Sequence, residues 1–474
     1  MATLSPLISR LAVVLIGLIA LLAIVPSQSG ATVVPKGWPK PFDPGGSTNV
    51  RYAEPTVAVG SNGYTIWAWW EYPKRLAPSN FRDNWDRARR SAKVMVRVRL
   101  PGRRGFEPAR RFGKIGSTKP EVAIARNGKS VLSWFSASER QVFAYRRPNS
   151  RWHSFHQIGG PRSRGGGGLS IGPDGTAVLL GSRTFKKEIL ATVRPPSGVF
   201  GPWTRVDQGS QTIGNARAAI AQRRGRATVV WGSPCPLGVP IEEIDPALYV
   251  DLVATVENEG RAEIDATTPE FISNTKCPTY YYDLQQDSRG TQYLLTQGGS
   301  DLLDVRIASR LAREPFQAAQ TVSAETESPG IAKFSVGFDG TATVAWDSYF
   351  PGQDRIGWVR STTADAGTFA APEPLVSNMG DRMGFVRDLT ALPDGTLASA
   401  WMKTRPVFKI GFGVIPRDRP LPKVDYPWPA WSGRSAPYPF EVLTSRDGRA
   451  LAWWALSNDH AEIVGLRWIG FRGR

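Results

Sequence analysis

The chain of 474 residues is poor in the side chains that bind metals or act as nucleophiles, with two cysteines and three histidines. His153, His156 and His460 are too few and too scattered for a catalytic triad or a zinc site. Neither cysteine has a neighbouring His or a second Cys, which argues against a metal centre. No phosphate-binding loop, dinucleotide fingerprint or calcium loop is present. We therefore expect no metal and no cofactor.

Acidic residues are also scarce: 41 Asp and Glu face 59 Lys and Arg, which gives a formal net charge of +18. This balance favours anionic partners. The segment Arg82–Lys114 holds twelve basic residues and three acids, and Arg97 and Arg99 alternate there with valines. This pattern is typical of a strand with one charged, solvated face. The functional alternative is contact with an anionic glycan or an acidic envelope polymer. Nucleic acid is a poor partner for an exported chain.

Long hydrophobic runs are absent except at the N-terminus, where the apolar segment Leu11–Val25 follows the single charged residue Arg10. Fifteen residues are short for a membrane span, which needs about 20. The small residues Ser29 and Ala31 fit a signal-peptidase site. We predict a signal peptide over 1–31 and a secreted or extracellular chain over 32–474. The alternative is an uncleaved N-terminal segment, which would provide the protein's only contact with a membrane.

Export makes a disulfide between Cys235 and Cys277 feasible, because disulfides persist in oxidising compartments. Both cysteines precede a proline, and they flank an insert over about 233–279. The alternative is two buried thiols.

What the chain does contain is an internal repeat. An apolar run, a tight turn with glycine and a second run recur eight times. Asn-Gly and Asp-Gly turns supply the positive φ that a tight β-hairpin requires. The turn glycines are Gly63, Gly128, Gly175, Gly225, Gly290, Gly340, Gly395 and Gly448.

Six residues after the turn glycine, six of the eight copies carry tryptophan. A ring repeated once per unit at one strand position is best explained by packing between adjacent units. These residues are Trp69, Trp134, Trp231, Trp346, Trp401 and Trp454, with Gly181 and Thr296 in the other two copies.

Two further β-like runs follow most hairpins, so each copy is four short antiparallel strands in about 50 residues. This is the unit of a β-propeller blade. The sequence therefore predicts an all-β fold and a single β-propeller, with eight blades and with seven as the fallback. The last copy stops at three strands. Residues 37–43 resemble a fourth strand and could close the ring from the N-terminus.

The turn followed by tryptophan, together with the tail V-R-x-x-x-G-x-F-x-x-P, resembles the Asp-box repeats of sialidase-superfamily propellers. The resemblance covers the whole mature chain at the level of repeat pattern. Here Asp and Gly are adjacent, as in Asp174-Gly175, whereas an Asp box separates them by one residue. The Arg-Ile-Pro phrase of working sialidases is missing near Arg51, so no catalytic position is carried over.

One position of the first strand deserves alignment across the copies, because equivalent residues of inner strands converge near a propeller axis. It reads Thr56, Glu121, Gly168, Arg217, Asp283, Lys333, Asp388 and Glu441, with one gap allowed in the fourth copy. We call these positions the axial column.

The carboxylates of the column, Glu121, Asp283, Asp388 and Glu441, are the candidate catalytic residues, since two suitably spaced carboxylates can hydrolyse a glycoside. Candidate ligand-binding residues in or beside the column are Arg217, Lys333, Arg387, Tyr281 and Tyr282. The simpler interpretation is a ring of mutually paired charges around a water-filled channel. Ligand recognition by the same ring is the intermediate case.

Two other features of the sequence bear on function. Gly168, Ser170 and Gly172 match the G-x-S-x-G pattern, but a turn and another strand follow where a nucleophile elbow needs a helix. A loop over about 416–440 is rich in proline and aromatics, and it presents Trp428 and Trp431. These rings could stack on sugars, or the loop could fold down to cap the propeller.

Taken together, the residues favour a monomeric, non-catalytic recognition propeller that binds a glycan, an anionic envelope polymer or a protein. The alternative is a divergent sialidase-like glycoside hydrolase that uses carboxylates of the axial column.

Overall fold

A computed structural model describes just over half of the chain. The described residues are 50–60, 63–73, 91–103, 105–114, 120–136, 138, 140–158, 168–183, 188–206, 217–232, 250–257, 265–266, 270–274, 279–298, 304–323, 329, 332–337, 339–350, 355–363, 367–375, 385–403, 409–417, 420, 440–444, 449–458 and 461–470. Their regular elements are β-strands in antiparallel sheets of neighbouring strands. We number the sheets 1 to 8 along the chain.

Sheet 1 contains β1 (Val50–Val59), β2 (Thr65–Pro73), β3 (Lys93–Arg99) and β4 (Arg110–Lys114), and sheet 2 contains β5 (Glu121–Ile124), β6 (Ser130–Phe135), β7 (Gln141–Arg146) and β8 (His156–Gln157). Sheet 3 contains β9 (Leu169–Ile171), β10 (Ala177–Arg183), β11 (Glu188–Arg194) and β12 (Thr204–Arg205). Sheet 4 contains β13 (Arg217–Ala221), β14 (Arg226–Gly232), β15 (Val250–Glu257), β16 (Asp265–Ala266) and β17 (Glu270–Asn274). In sheet 4, both β16 and β17 pair with β15.

Sheet 5 contains β18 (Thr279–Gln286), β19 (Gln292–Gly298), β20 (Asp304–Arg310) and β21 (Gln320–Thr321), and sheet 6 contains β22 (Lys333–Val336), β23 (Ala342–Phe350), β24 (Arg355–Thr363) and β25 (Glu373–Pro374). Sheet 7 contains β26 (Phe385–Ala391), β27 (Leu397–Lys403) and β28 (Lys409–Ile415). Sheet 8 contains β29 (Phe440–Thr444), β30 (Arg449–Asn458) and β31 (Ala461–Gly470). These sheets confirm the all-β propeller class that the repeat predicts.

The hairpin turns form because glycine tolerates positive φ: the described turn glycines have φ between 78° and 98°. Aspartate before the glycine adds side-chain acceptors. Asp174 Oδ1 accepts a hydrogen bond from the backbone N–H of Thr176 at 2.9 Å, which closes its own turn. Asp174 Oδ2 accepts one from the N–H of Arg224 at 2.7 Å, which ties the turn to the next sheet.

The tryptophan column packs between sheets, as predicted. Trp346 of sheet 6 is fully buried and lies in one cluster with Leu295 and Ile307 of sheet 5. Trp134 of sheet 2 joins the core of sheet 1 in the same way. At the other end of the chain, Trp69 of sheet 1 shares a cluster with Leu451 of sheet 8. Apolar contact between sheets is therefore the main source of stability in this fold.

The first strands of successive sheets contact one another in chain order: β1 with β5, then β9, β13, β18, β22, β26 and β29. Contacts also run from β29 back to β1. This order brings the axial column to one inner surface. The eight-blade count with an N-terminal closing strand stays a prediction, because residues 37–43 lie outside the described residues.

Several third strands end in buried arginines. Arg146, Arg194 and Arg310 each lie opposite the second residue after the turn glycine of their sheet. Arg310 donates to Thr228 Oγ1 of sheet 4 at 2.6 Å, and the guanidinium of Arg194 lies 4.8 Å from the ring centre of Tyr145 in sheet 2. Part of the basic excess is thus structural and joins neighbouring sheets.

Other sequence predictions fall on parts of the chain that the structure does not describe. Residues 1–31, Cys235, Cys277, Trp428 and Trp431 are outside the described ranges, so the signal peptide, the disulfide and the aromatic loop stay predictions. Within the described ranges, no helix has the length and apolar character needed to cross a membrane.

Candidate functional site

The axial column is a true structural column, because the same backbone register recurs in the described sheets. Glu121, Asp283, Lys333 and Asp388 each pair with the fifth residue after the turn glycine of their own hairpin. Thr56 and Glu441 obey the same register. Side chains at one register position of equivalent first strands face the same inner surface.

The fourth copy departs from the alignment by one residue. Arg217 pairs with Trp231, the sixth residue after Gly225, whereas Ala218 pairs with the fifth. Ala218 therefore occupies the column at this sheet, and Arg217 precedes it. The gap allowed in the fourth copy hid this shift, and a shift of one residue along a strand reverses the face. The structure describes only the backbone of Arg217.

Burial supports an inner, solvent-accessible surface. The column residues Asp283, Lys333, Asp388 and Glu441 are half-buried. The residues that follow them, Leu284, Phe334, Leu389 and Val442, are buried in the core between sheets. Alternation of half-buried and buried positions is the strand periodicity expected when one face meets a channel.

Three of the first strands carry a β-bulge close to the column. The register shifts between Ala53 and Thr56 in β1, between Thr279 and Tyr281 in β18, and between Val386 and Asp388 in β26. In β26 the extra residue is Arg387, a predicted ligand-binding residue whose side chain is exposed. Bulges redirect side chains and are common beside functional sites.

Two residues further along the same face lies a second layer, which the sequence interpretation missed. It includes Ser170, Ile220, Gln285, Ser335 and Thr390 from sheets 3 to 7, and it lines a cavity of about 320 Å³. The column and this cavity are thus adjacent levels of one axial space. The same eight-copy alignment, shifted by two residues, would have identified the polar members of the layer.

The polar side chains of the second layer connect neighbouring first strands. Gln285 Oε1 accepts a hydrogen bond from the N–H of Val336 at 3.0 Å, and Gln285 Nε2 donates to the carbonyl of Phe334 at 2.8 Å. Ser335 Oγ accepts from the N–H of Ala391 at 2.6 Å. Gln285 therefore fixes sheet 5 against sheet 6, and Ser335 fixes sheet 6 against sheet 7.

Asp283 of the axial column is hydrogen-bonded to a residue of this second layer. Its Oδ2 accepts a hydrogen bond from Gln285 Nε2 at 3.0 Å. Burial raises the pKa of Asp283 to about 6, opposed by that hydrogen bond and by the positive charge of Lys333. Asp283 thus exchanges a proton near neutral pH.

The pKa of Asp388 is raised further than that of Asp283. Burial raises the pKa of its carboxyl to about 7, and the neighbouring Glu441 carboxylate adds to the increase. The N–H of Val442, which donates to Asp388 Oδ2 at 2.7 Å, and the Lys333 ammonium both oppose it. Lys333 of sheet 6 and Glu441 of sheet 8 therefore both act on Asp388 of sheet 7.

The structure therefore brings together four column residues, Asp283, Lys333, Asp388 and Glu441. Glu121, the remaining candidate carboxylate, lies in sheet 2 and does not contribute to the pKa shifts of Asp283 and Asp388. Chemically, the four-residue group can donate and accept hydrogen bonds and can hold a proton on Asp388 or Asp283 near pH 7. For Tyr281 and Tyr282 the structure describes only the backbone, in β18.

The basic strand of sheet 1 has the alternation that the sequence predicts. Along β3, Val94, Val96 and Val98 are buried while Arg97 and Arg99 are partly exposed. Arg110 and Arg111 of β4 are exposed beside it. Arg82 to Arg90 lie outside the described residues, so an anion-binding role for the segment stays a prediction.

The G-x-S-x-G match is structural, as the sequence indicated. Ser170 Oγ accepts a hydrogen bond from the N–H of Ala221 in sheet 4 at 3.2 Å. Gly172 is followed by the turn of Gly175 and by strand β10. Ser170 therefore joins two sheets.

No protein-family model matches the chain. No curated protein sequence matches it either. Solved structures similar to it include the β-propeller domain of the Trilobed protease from Pyrococcus furiosus, at 10% identity and a TM-score of 0.42, covering 81% of this chain and 99% of that chain. The BP39L lectin from Burkholderia pseudomallei is similar at 11% identity and a TM-score of 0.44, over 75% of this chain and 96% of that chain. A mutant of the NanB sialidase from Streptococcus pneumoniae is similar at 9% identity and a TM-score of 0.34, over 88% and 68%. Similarity at this level says nothing about substrate or activity.

Proposed function

We propose that the protein is a secreted or surface-exposed, non-catalytic recognition propeller that binds a glycan at the axial column. The observation that carries the proposal is the convergence of Asp283, Lys333, Asp388 and Glu441, from four successive sheets, on one half-buried layer beside a cavity of about 320 Å³. Pockets with a few convergent polar groups are the usual ligand sites of proteins.

A glycan suits this group because sugar hydroxyls both donate and accept hydrogen bonds. The Lys333 ammonium supplies donors, and the carboxylates of the column supply acceptors. Trp428 and Trp431 of the predicted aromatic loop would add stacking surfaces at the rim, and Tyr281 and Tyr282 would add them next to Asp283. An anionic envelope polymer or a protein remains an alternative partner for the same surface.

Binding without catalysis is favoured because the two carboxylates with the largest shifts already have structural partners. Asp388 Oδ2 accepts from the backbone of sheet 8, and Asp283 Oδ2 accepts from the amide that joins sheets 5 and 6. A proton-transfer residue that is also a connector between sheets has little freedom to follow a reacting oxygen.

The test is a glycan array probed with the full chain, followed by calorimetry on any hit. We expect Lys333→Ala and Asp283→Asn to weaken a hit at least about tenfold, since each removes a charged hydrogen-bonding group. Trp428→Ala and Trp431→Ala should weaken it as well. Arg147→Ala, which removes an exposed arginine of the turn after β7, outside the axial column, is the control. An array without hits, or a hit unaffected by the Lys333 and Asp283 variants, would contradict the proposal.

A second candidate function is glycoside hydrolysis of the sialidase-like type, favoured by the raised pKa values of Asp283 and Asp388. A carboxylic acid that keeps its proton near pH 7 can protonate a leaving-group oxygen while a second carboxylate acts as nucleophile or base. Assays with aryl glycosides between pH 4 and pH 8 test this. Turnover that Asp388→Asn abolishes would support hydrolysis and overturn the non-catalytic proposal, whereas binding without turnover would support recognition.

A further inference from the structure

A depression of about 460 Å³ lies between sheets 4 and 5, at the end of the strands where the hairpin turns are. Five arginines line it, together with a single acid, Asp287, and no aromatic side chain. We call it the arginine depression and define it by Arg223, Arg224, Arg226, Arg289 and Arg313.

The one acid does not neutralise the group. Asp287 has a buried side chain, and its Oδ1 accepts hydrogen bonds from the backbone N–H groups of Arg289, Gly290 and Thr291 at 2.8 to 2.9 Å. Its Oδ2 lies 3.3 Å from Arg289 Nε. The carboxylate of Asp287 therefore interacts with the backbone of its own turn and with Arg289.

Three of the five arginines present their charged groups to solvent. The side chains of Arg223, Arg224 and Arg313 are exposed. Among the described residues, no carboxylate forms an ion pair with any of the three. Their positive potential is thus directed at solvent, in a concave site where field lines concentrate.

Two of these arginines occupy backbone conformations that favour glycine. Arg224 has φ 59° and precedes Gly225 in a turn closed by the hydrogen bond from Arg226 N–H to the Arg223 carbonyl at 3.3 Å. Such turns prefer Asn, Asp or Gly at this position. Among the hairpin turns that the structure describes, only the turn of sheet 4 has a non-glycine residue with positive φ directly before its turn glycine.

Arg313 shows the same conflict in the turn after β20. Its φ is 73°, and the corresponding residues after β3 and β7 are Gly102 and Asn149, with φ 72° and 54°. The long arginine side chain thus stands where glycine or asparagine fits the backbone better. Strained residues that converge on one concavity point to a function for their side chains.

We propose that the arginine depression binds a polyanion that presents several tetrahedral oxyanions, either phosphate or sulfate. Guanidinium groups match such oxyanions with paired hydrogen bonds. The arginines come from three separate segments, so they suit a chain of anionic groups better than one ion. The absence of aromatic rings among the lining residues disfavours single-stranded nucleic acid, which stacks its bases on such rings.

This site is separate from the proposed glycan site. The depression and the axial cavity share Pro173, Gln286, Asp287 and Ser288, so the two are neighbours. However, none of the five arginines belongs to the axial column or lines the axial cavity. Failure of glycan binding at the column would therefore leave the proposal standing, and the converse also holds.

The experiment measures binding of tripolyphosphate, a heparin-derived oligosaccharide and a single-stranded oligonucleotide to the full chain by calorimetry at low salt. The test variant is Arg224→Gly combined with Arg313→Gly, which removes two charges and relaxes two turns. We expect the variant to bind the preferred polyanion at least about tenfold more weakly. We also expect it to be no less stable than wild type, because glycine suits both turns. Tripolyphosphate and heparin distinguish a phosphate from a sulfate ligand.

Two controls isolate the side chains. Asn149→Gly relaxes an equivalent turn without removing a charge, and Arg147→Ala with Arg151→Ala removes two exposed charges from sheet 2. Both should bind as wild type does. The proposal is overturned if neither polyanion binds, if the charge control loses as much affinity as the test variant, or if the oligonucleotide binds more tightly than both polyanions.

Discussion

Asp388 Oδ2 accepts a hydrogen bond from the backbone N–H of Val442 at 2.7 Å, and this contact joins the first strands of sheets 7 and 8. The same kind of bond recurs between other neighbouring sheets. Side-chain oxygens of Ser170, Gln285 and Ser335 accept from the backbone N–H groups of Ala221, Val336 and Ala391, respectively. A first strand pairs with a neighbour on one side only, so the N–H groups of its other edge have no partner within the sheet. Side chains of the preceding sheet satisfy these groups, which would otherwise be costly.

Asp388→Ala should therefore destabilise the fold, because it leaves the Val442 N–H without its acceptor. We expect a loss of about 1–3 kcal/mol in the free energy of unfolding. Asp388→Asn keeps a side-chain oxygen for the same bond and should cost clearly less. Urea denaturation of both variants measures the difference. Equal losses in the two variants would show that the carboxylate charge, and not the acceptor, stabilises sheets 7 and 8.

Stability should also fall as the pH rises from about 4 to about 7. The carboxyls of Asp283 and Asp388 have folded-state pKa values raised to about 6 and about 7, above the ordinary value of 3.8. Between these limits the folded state holds protons that the unfolded state has released, so each rise in pH favours unfolding. Urea midpoints measured from pH 4 to pH 8 test this.

Asp388→Asn removes the carboxyl with the larger pKa shift, so the free energy of unfolding should fall less steeply between pH 4 and pH 7 in this variant. Asp394→Asn is the matched control, because hydrogen bonding to Thr396 lowers the pKa of Asp394, so that group titrates below the window. A fall that Asp394→Asn abolishes and Asp388→Asn leaves intact would contradict the assignment.

The sequence predicts much of this fold because its signals are local. The turn glycines and the residues six positions later, such as Trp134 and Trp346, recur at fixed offsets within each hairpin, and backbone pairing preserves those offsets. The prediction was wrong where the offset changed by one residue, at Arg217. The bonds of Gln285 and Ser335 could not be predicted, since they depend on how one sheet lies against the next.

The electrostatics of the site needed the structure for the same reason. Sequence placed Asp283, Lys333 and Asp388 in one column, but it also placed Glu121 there. Only the folded chain shows which members affect one another, because the two charges that act on Asp388, those of Lys333 and Glu441, lie more than 50 positions away in the chain. The arginine depression was missed because its five members lie in three turns, each unremarkable by itself.

Trp346→Ala should be among the most damaging substitutions in the chain. The ring is fully buried between sheets 5 and 6, against Tyr293 and Leu295. We expect the free energy of unfolding to fall by about 3–5 kcal/mol, the usual cost of a large cavity in a core. Phe155→Ala, at a ring that is 53% exposed, is the control and should cost far less. Comparable losses measured by urea denaturation would mean that the tryptophan column does not hold the sheets together.

Gly172→Ala should destabilise the contact between sheets 3 and 4, where the backbone approaches too closely for a side chain. A Cβ at this position would lie 2.1 Å from the carbonyl oxygen of Gln222, and backbone cannot move aside as a flexible side chain can. Overpacking of this kind costs about 1–3 kcal/mol or more. Gly168→Ala changes the first glycine of the same G-x-S-x-G segment, where a Cβ meets nothing within 4 Å, and should be nearly neutral. Thermal denaturation of the two variants separates steric contact from any general role of the motif, since a motif-wide role would make both variants equally unstable.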